Sequence, residues 1–299
     1  MPRLRFQQAQ NIVSRALLRL WARDSMLYVG GVSFFALLAI FPGLTLVAAV
    51  YGLLTTPDHA AAQAAAFSSV LPPAAQALVR SEVHKIAQAS VRALSLQSGL
   101  SLVIGAYAAH RGVKALLAGL QFIYAERRPR SVFEFNLMAL IVGIAAFMII
   151  SVASFGFVAF KFITSSLHLT PLKQSLLSNV WTWAWAGLTV GLSLLYRYAM
   201  ASHPVSIRAA GTAGATAAIL TLLASFLSAV YVTQVVNLGA AYGSVGAVIV
   251  FLIWLSWNVN AVLFGAALAT EIEMALGEGE ASGLPDKKPK LALLRFKAK

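Results

Sequence analysis

Two stretches of this chain leave no room for a wet face. Tyr242–Ala269 runs for 28 residues, and Tyr28–Leu54 for 27, without one Asp, Glu, Lys or Arg. A surface helix of a water-soluble protein keeps a polar side, whereas ~20 apolar residues suffice to cross a bilayer core of ~30 Å. Hydrocarbon is therefore the expected medium. Composition agrees, with 59% hydrophobic and 11% charged residues against ~45–50% and ~25% in soluble domains. That apolar content excludes disorder. The absence of cysteine excludes a disulfide framework and any thiolate site.

Six segments read as spans, at 28–54, 96–122, 135–160, 175–196, 209–236 and 242–269. The second is the weakest, because the apolar Leu96–Ala109 meets His110, Arg111 and Lys114 before its length is complete. Lipid offers no partner to an exposed backbone N–H or C=O, so a span must satisfy these groups within itself. Barrel strands would alternate in ~10-residue units, and Leu137–Ile150 does not alternate. The expected fold is all-α, a polytopic bundle of six transmembrane helices. Alternating the loops puts 18 Lys and Arg on one side and 5 on the other. The richer side faces the cytoplasm, so both termini are expected there, and an even number of spans follows independently of the weak second one.

Residues 1–27 carry Arg3, Arg5, Arg15, Arg19 and Arg23 among Leu4, Ile12, Val13, Ala16, Leu17, Leu20 and Trp21. No short apolar stretch with a cleavage site follows, so this is no cleavable signal. It reads either as a basic interfacial helix on the inner leaflet or as a topology signal alone. The spans occupy 28–270. Between the first two, residues 72–92 have the spacing of an outer amphipathic helix, as in Ala75, Leu78, Val79, Val83 and Ile86. Residues 271–299, with acids first and then six Lys and Arg among glycines and prolines, read as a flexible cytoplasmic tail.

Candidate pathway residues are Ser33, Pro42, His110, Arg111 and Lys114 inside spans, with Arg197 and Arg208 just past span ends at the same cytoplasmic face. Pro42 has no N–H and clashes with the carbonyl of Leu38, which predicts either a packing kink or a break that lines a substrate path. His110 and Lys114 share a helix face and Arg111 lies one step around. Charges at that depth are costly unless they snorkel or face a wet cavity; the set is either snorkelling to the headgroups or a vestibule for an anion. Gly211, Gly214, Gly239, Gly243 and Gly246 suggest close helix packing, with Asn258 as a polar link between helices.

Enzyme constellations are missing. His59, His84, His110, His168 and His203 are scattered without ligand spacing, so no metal site or cofactor is expected. Glu271 and Glu273 are the nearest approach to a carboxylate pair, and positions two apart on a helix diverge. No Gly-rich phosphate loop ending in Lys-Ser/Thr occurs, which excludes an ATP-driven pump in this chain alone. Topology accounts for the basic residues, so nucleic acid is not an expected partner.

Several segments in order resemble the YihY/BrkB family of bacterial inner-membrane proteins. They are Ser33-Phe34-Phe35-Ala36-Leu37-Leu38 with Phe41-Pro42; Gly112-Val113-Lys114-Ala115-Leu116 with Gly119-Leu120 and Ile123-Tyr124; and Leu195-Tyr196-Arg197-Tyr198. Further along come Arg208 through Gly211 to Gly214-Ala215, then Tyr242-Gly243-Ser244-Val245-Gly246 with Trp254-Leu255 and Phe264-Gly265-Ala266. The resemblance implies six helices in the bacterial cytoplasmic membrane. It also brings an old ribonuclease label, for which no clustered carboxylates or histidines are present here. Where members of the family often have Gly-Ala-Glu, this chain has Gly265-Ala266-Ala267, and Glu271 is its first acid in that helix; Ala210 stands in place of a usual proline.

The function expected is therefore a multi-pass inner-membrane protein of transporter type that handles a lipid or another anionic substrate. Anionic lipid headgroups at the cytoplasmic face are its expected partners, and a homo-oligomer is compatible with the pattern. The alternative is a non-transporting scaffold for envelope assembly, and a membrane-attached ribonuclease ranks last.

Overall fold

The structure, a computed structural model, describes residues 2–21, 25–54, 96–125, 131–166, 179–234 and 245–277. Over these residues the chain is all-helical, with seven helices and no strand. They are α1 (Pro2–Trp21), α2 (Ser25–Leu54), α3 (Leu96–Tyr124), α4 (Val132–Ser166), α5 (Val180–Ala199), α6 (Ile207–Gln234) and α7 (Val245–Ala275). Each of the six apolar segments overlaps one of α2–α7. Three stretches are long and apolar enough to cross a membrane among the described residues: Val132–Ala153, Ile207–Tyr231 and Val248–Ala275. Ser25–Ala39 is a shorter apolar stretch. The outer segment at 72–92 and the tail beyond 277 lie outside the described residues.

Local chemistry sets where the helices begin and stop. At α4, Ser131 and Glu134 form a reciprocal capping box: Ser131 N donates to Glu134 Oε2 at 3.0 Å and Glu134 N to Ser131 Oγ at 3.3 Å. At α5 the Asn179 side chain accepts from Trp181 N at 2.9 Å, and at α6 Ser206 Oγ accepts from Ala209 N. Each satisfies a donor that the first helical turn would leave orphaned. At the far end of α7, Gly277 takes φ 71°, the left-handed conformation that stops helices with least strain in glycine. α3 ends on Ala125 at φ 60°, where the side chain is a handicap.

From α2 onward, helices adjacent in sequence touch and the last closes on α2: α2 packs on α3, α3 on α4, α4 on α5, α5 on α6, α6 on α7, and α7 on α2. α7 also reaches α3, α5 and α1, which makes it the hub. The α2–α3 pair is antiparallel, with Tyr28 opposite Gly119, Gly31 opposite Ala115 and Phe35 opposite Gly112. The main buried cluster gathers at one end of the bundle. There Leu117, Leu120, Ile123 and Tyr124 of α3 meet Tyr196 and Ala199 of α5, Ala213 and Ala217 of α6, and Leu263 and Ala266 of α7. Ala16 and Leu20 of α1 belong to the same cluster.

The last helix runs to Ala275, so Glu271 and Glu273, read from the sequence as the start of the tail, are helical and buried. α1 is a helix as its spacing predicts, but it lies against α7 rather than free of the bundle.

Candidate functional site

Arg111 sits midway along α3, 15 residues from Leu96 and 13 from Tyr124. At 1.5 Å per residue its Cα is roughly 20 Å from either end. Gly112 positions it: a Cβ there would stand 3.4 Å from Phe35 Cβ, so the bare glycine lets α3 close onto α2. The Arg111 guanidinium carbon consequently lies 5.5 Å from the centre of the Phe35 ring and 6.0 Å from that of Tyr107. Phe35 is in turn held edge-on by Phe34 at 5.4 Å. The positive charge rests against aromatic faces, an attraction worth ~0.5–2 kcal/mol depending on desolvation. Among the described residues no carboxylate pairs with it.

The neighbouring cation has different company. Lys114 Nζ donates to Asn136 Oδ1 of α4 at 2.7 Å and lies 6.0 Å from the Phe135 ring centre. Asn136 is four residues past the start of α4, so the flexible Lys stem carries its charge toward that end of the bundle, which is the geometry of snorkelling. His110 is half-buried. Arg111 and Lys114 thus share a helix but not a site.

The remaining candidates are dispersed. Ser33 is buried and its Oγ accepts from Ser256 Oγ of α7 at 3.4 Å, so it faces the hub and not Arg111. Pro42 falls inside the continuous α2, and its side chain lies outside the described residues. Arg197 Nη1 donates to Val205 C=O at 3.0 Å, while Val205 N donates to Arg197 C=O at 2.9 Å, closing the turn between α5 and α6. Arg208, one residue into α6, is exposed.

Of the packing candidates, Gly214 is in tightest contact with a neighbouring backbone: a Cβ there would come 2.8 Å from Ser193 N and 3.0 Å from Ser193 Cα. Gly211 has no atom within 4 Å of the same position. Gly246 is buried near the start of α7, and Gly239 and Gly243 lie outside the described residues. Asn258 Nδ2 donates to Trp254 C=O at 2.7 Å, and its Oδ1 accepts from Ser225 Oγ of α6 at 3.4 Å. Trp254 Nε1 also donates to Ser225 Oγ, at 3.0 Å. Asn258 is a link between α6 and α7.

One polar cluster escaped the reading of the sequence. Glu271, 5% exposed, accepts from Arg19 at 2.8 Å and meets Arg15 at 3.3 Å. Arg19 Nη1 also donates to the C=O of Ile123 on α3 at 3.2 Å, and Nη2 lies 3.8 Å from Met274 Sδ. A single guanidinium therefore joins α1, α3 and α7. Beside it, the buried Glu273 accepts from Tyr124 OH at 3.4 Å. The available signal was a match of sign, two acids closing α7 against arginines at one spacing in α1. A second missed contact centres on Gly265, where a Cβ would stand 2.6 Å from Ala217 Cβ and 2.9 Å from Tyr196 Cζ; the Tyr196 hydroxyl donates to Val262 C=O at 2.7 Å.

Comparison with curated proteins finds no match, and neither does comparison with solved structures. A protein-family comparison does, over residues 16–290 and therefore over every helix from α2 to α7. A bundle whose spans are this apolar, matched along nearly all its length, is an integral membrane protein, and the chain belongs to the family described as Virulence factor BrkB.

Proposed function

We propose that this protein crosses the bacterial cytoplasmic membrane six times through α2–α7, with both termini in the cytoplasm, and moves an anionic substrate across the bilayer. The closed order of contacts and the charge asymmetry of the loops support that topology. The observation that carries the transport reading is Arg111. As a span, α3 places its guanidinium close to the bilayer midplane, where a lone arginine costs ~2.5–3.5 kcal/mol on insertion scales. Two aromatic rings offset part of this. An anion arriving at Arg111 would offset the rest, which makes the site attractive to negative charge at the one depth that a bare anion finds hardest to pass.

Purified protein in proteoliposomes tests the reading with two substrates, a fluorescent phosphatidylglycerol and inorganic phosphate. Transfer of at least one should exceed that of protein-free vesicles, and Arg111→Gln should lower it tenfold or more while Arg111→Lys keeps a measurable part. Wild-type protein that moves neither, or an Arg111→Gln variant of undiminished rate, would refute it.

A further inference from the structure

Arg111 does not point into the ring of helices. It is exposed, as are Tyr107 and Ile104 on the same stripe of α3, one and two turns away. On α2, Leu27, Gly30, Phe34 and Leu38 are exposed at helical spacing, with Tyr107 at 62% and Phe34 at 53%. The Phe35 ring under the guanidinium ties the two stripes together across the α2–α3 seam. The charge consequently emerges through an outer surface that is otherwise apolar.

Resting on the reading of α3 as a membrane span, we propose that Arg111 is a headgroup site for an anionic phospholipid. Such a lipid crosses the bilayer along the outside of the α2–α3 seam, its phosphate on the protein and its acyl tails still in hydrocarbon. Position separates this from the case of a small soluble anion. A soluble anion needs water on its path, and a cation on the outer surface offers it none. A phospholipid is already in the surrounding medium and has only to bring its phosphate along an apolar wall to one fixed charge. The chemistry is complementary as well. Ring contacts use none of the five N–H donors of a guanidinium, and no ion pair among the described residues takes them, so Arg111 offers its planar fork to two phosphate oxygens, the pairing that arginine makes best. Gly112 and Gly119 keep α2 and α3 too close for a lipid to pass between them, which leaves the outer face of the seam as the track.

Proteoliposomes of phosphatidylcholine with a trace of fluorescent phosphatidylglycerol, and parallel vesicles with labelled inorganic phosphate outside, test the inference. Protein-dependent lipid transfer is expected, lowered tenfold or more by Arg111→Gln, with phosphate influx at the protein-free level. Because Arg111→Gln could disturb folding, Ile104→Cys supplies a second arm at a position that does not touch the guanidinium: the unlabelled variant should transfer lipid normally, and attachment of a bulky maleimide at this exposed position should halve the rate or better. Arg111-dependent phosphate influx without lipid transfer would overturn the lipid track and leave anion transport standing. Failure of both substrates would overturn both. Lipid transfer indifferent to the label at position 104 would place the track elsewhere.

Discussion

Gly214 and Gly211 are one helical turn apart in α6, and nothing in their spacing ranks them. The neighbour across the interface does. The backbone of Ser193 stands where a Cβ on Gly214 would go, whereas Gly211 faces open space. Gly265 is as constrained, between Ala217 and Tyr196. Gly265→Ala should therefore destabilise the purified protein by about 1–3 kcal/mol, the usual cost of overpacking, seen as a lower thermal midpoint in detergent. Gly211→Ala should be neutral in the same measurement. Ala125 gives the opposite case. Its φ of 60° costs an L side chain about 1–2 kcal/mol, so Ala125→Gly should raise the midpoint slightly, glycine's extra freedom in the unfolded chain consuming part of the gain.

The N-terminal helix shows how an element can be legible while its partner is not. Ile12, Ala16 and Leu20 recur at helical spacing with Arg15 and Arg19 among them, and α1 is indeed helical. The arginines are equally suited to anionic lipid and to a protein carboxylate, and the structure gives them Glu271. Glu271 lies one turn beyond Ala267, on the same face of α7. Ala267 has no acid to offer there, and Glu271 is the acid that Arg19 reaches. Charge-assisted hydrogen bonds of this kind contribute about 1.5–3 kcal/mol. Glu271→Gln should accordingly loosen α1. The absence of cysteine in the chain makes this measurable at Ala16, which is fully buried: in an Ala16→Cys background, maleimide labelling should become tenfold faster or more with Glu271→Gln. Unchanged labelling would mean that apolar packing alone holds α1 in place.

For the molecule entire, closure of the bundle depends on α7. It touches α2, α3, α5 and α6, and through Glu271 it holds α1. It carries the polar links as well, Ser256 to Ser33 and Asn258 to Ser225. Such bonds hold helices together where lipid offers no competing partner. α4 is the opposite: from Val132 to Ala153 only Ala139 is buried, so this stretch meets the surrounding medium. The six spans proposed above would place both ends of the chain in one compartment. Single cysteines introduced at Gln10 and at Ala275, both exposed, should react with a membrane-impermeant maleimide in inverted membrane vesicles and stay protected in right-side-out ones. Labelling of the two sites in opposite preparations would break the topology.

Periodicity and solvent were enough to place the helices, because an uncharged run of 20 or more residues has one way to satisfy its backbone in hydrocarbon. They also draw attention to His110, Arg111 and Lys114, since a cation within a membrane helix is costly wherever it points. Direction was a different matter. Whether Arg111 and Lys114 lined one vestibule or parted depended on which neighbours stood around α3, and Asn136 of α4 takes one while Phe35 of α2 supports the other. Glu271 is helical and buried for the same reason: Arg19, 252 residues earlier in the chain, neutralises it. Local patterns fix what a segment becomes; contacts between segments far apart in the chain fix what each polar group meets, and those arise only when the helices have packed.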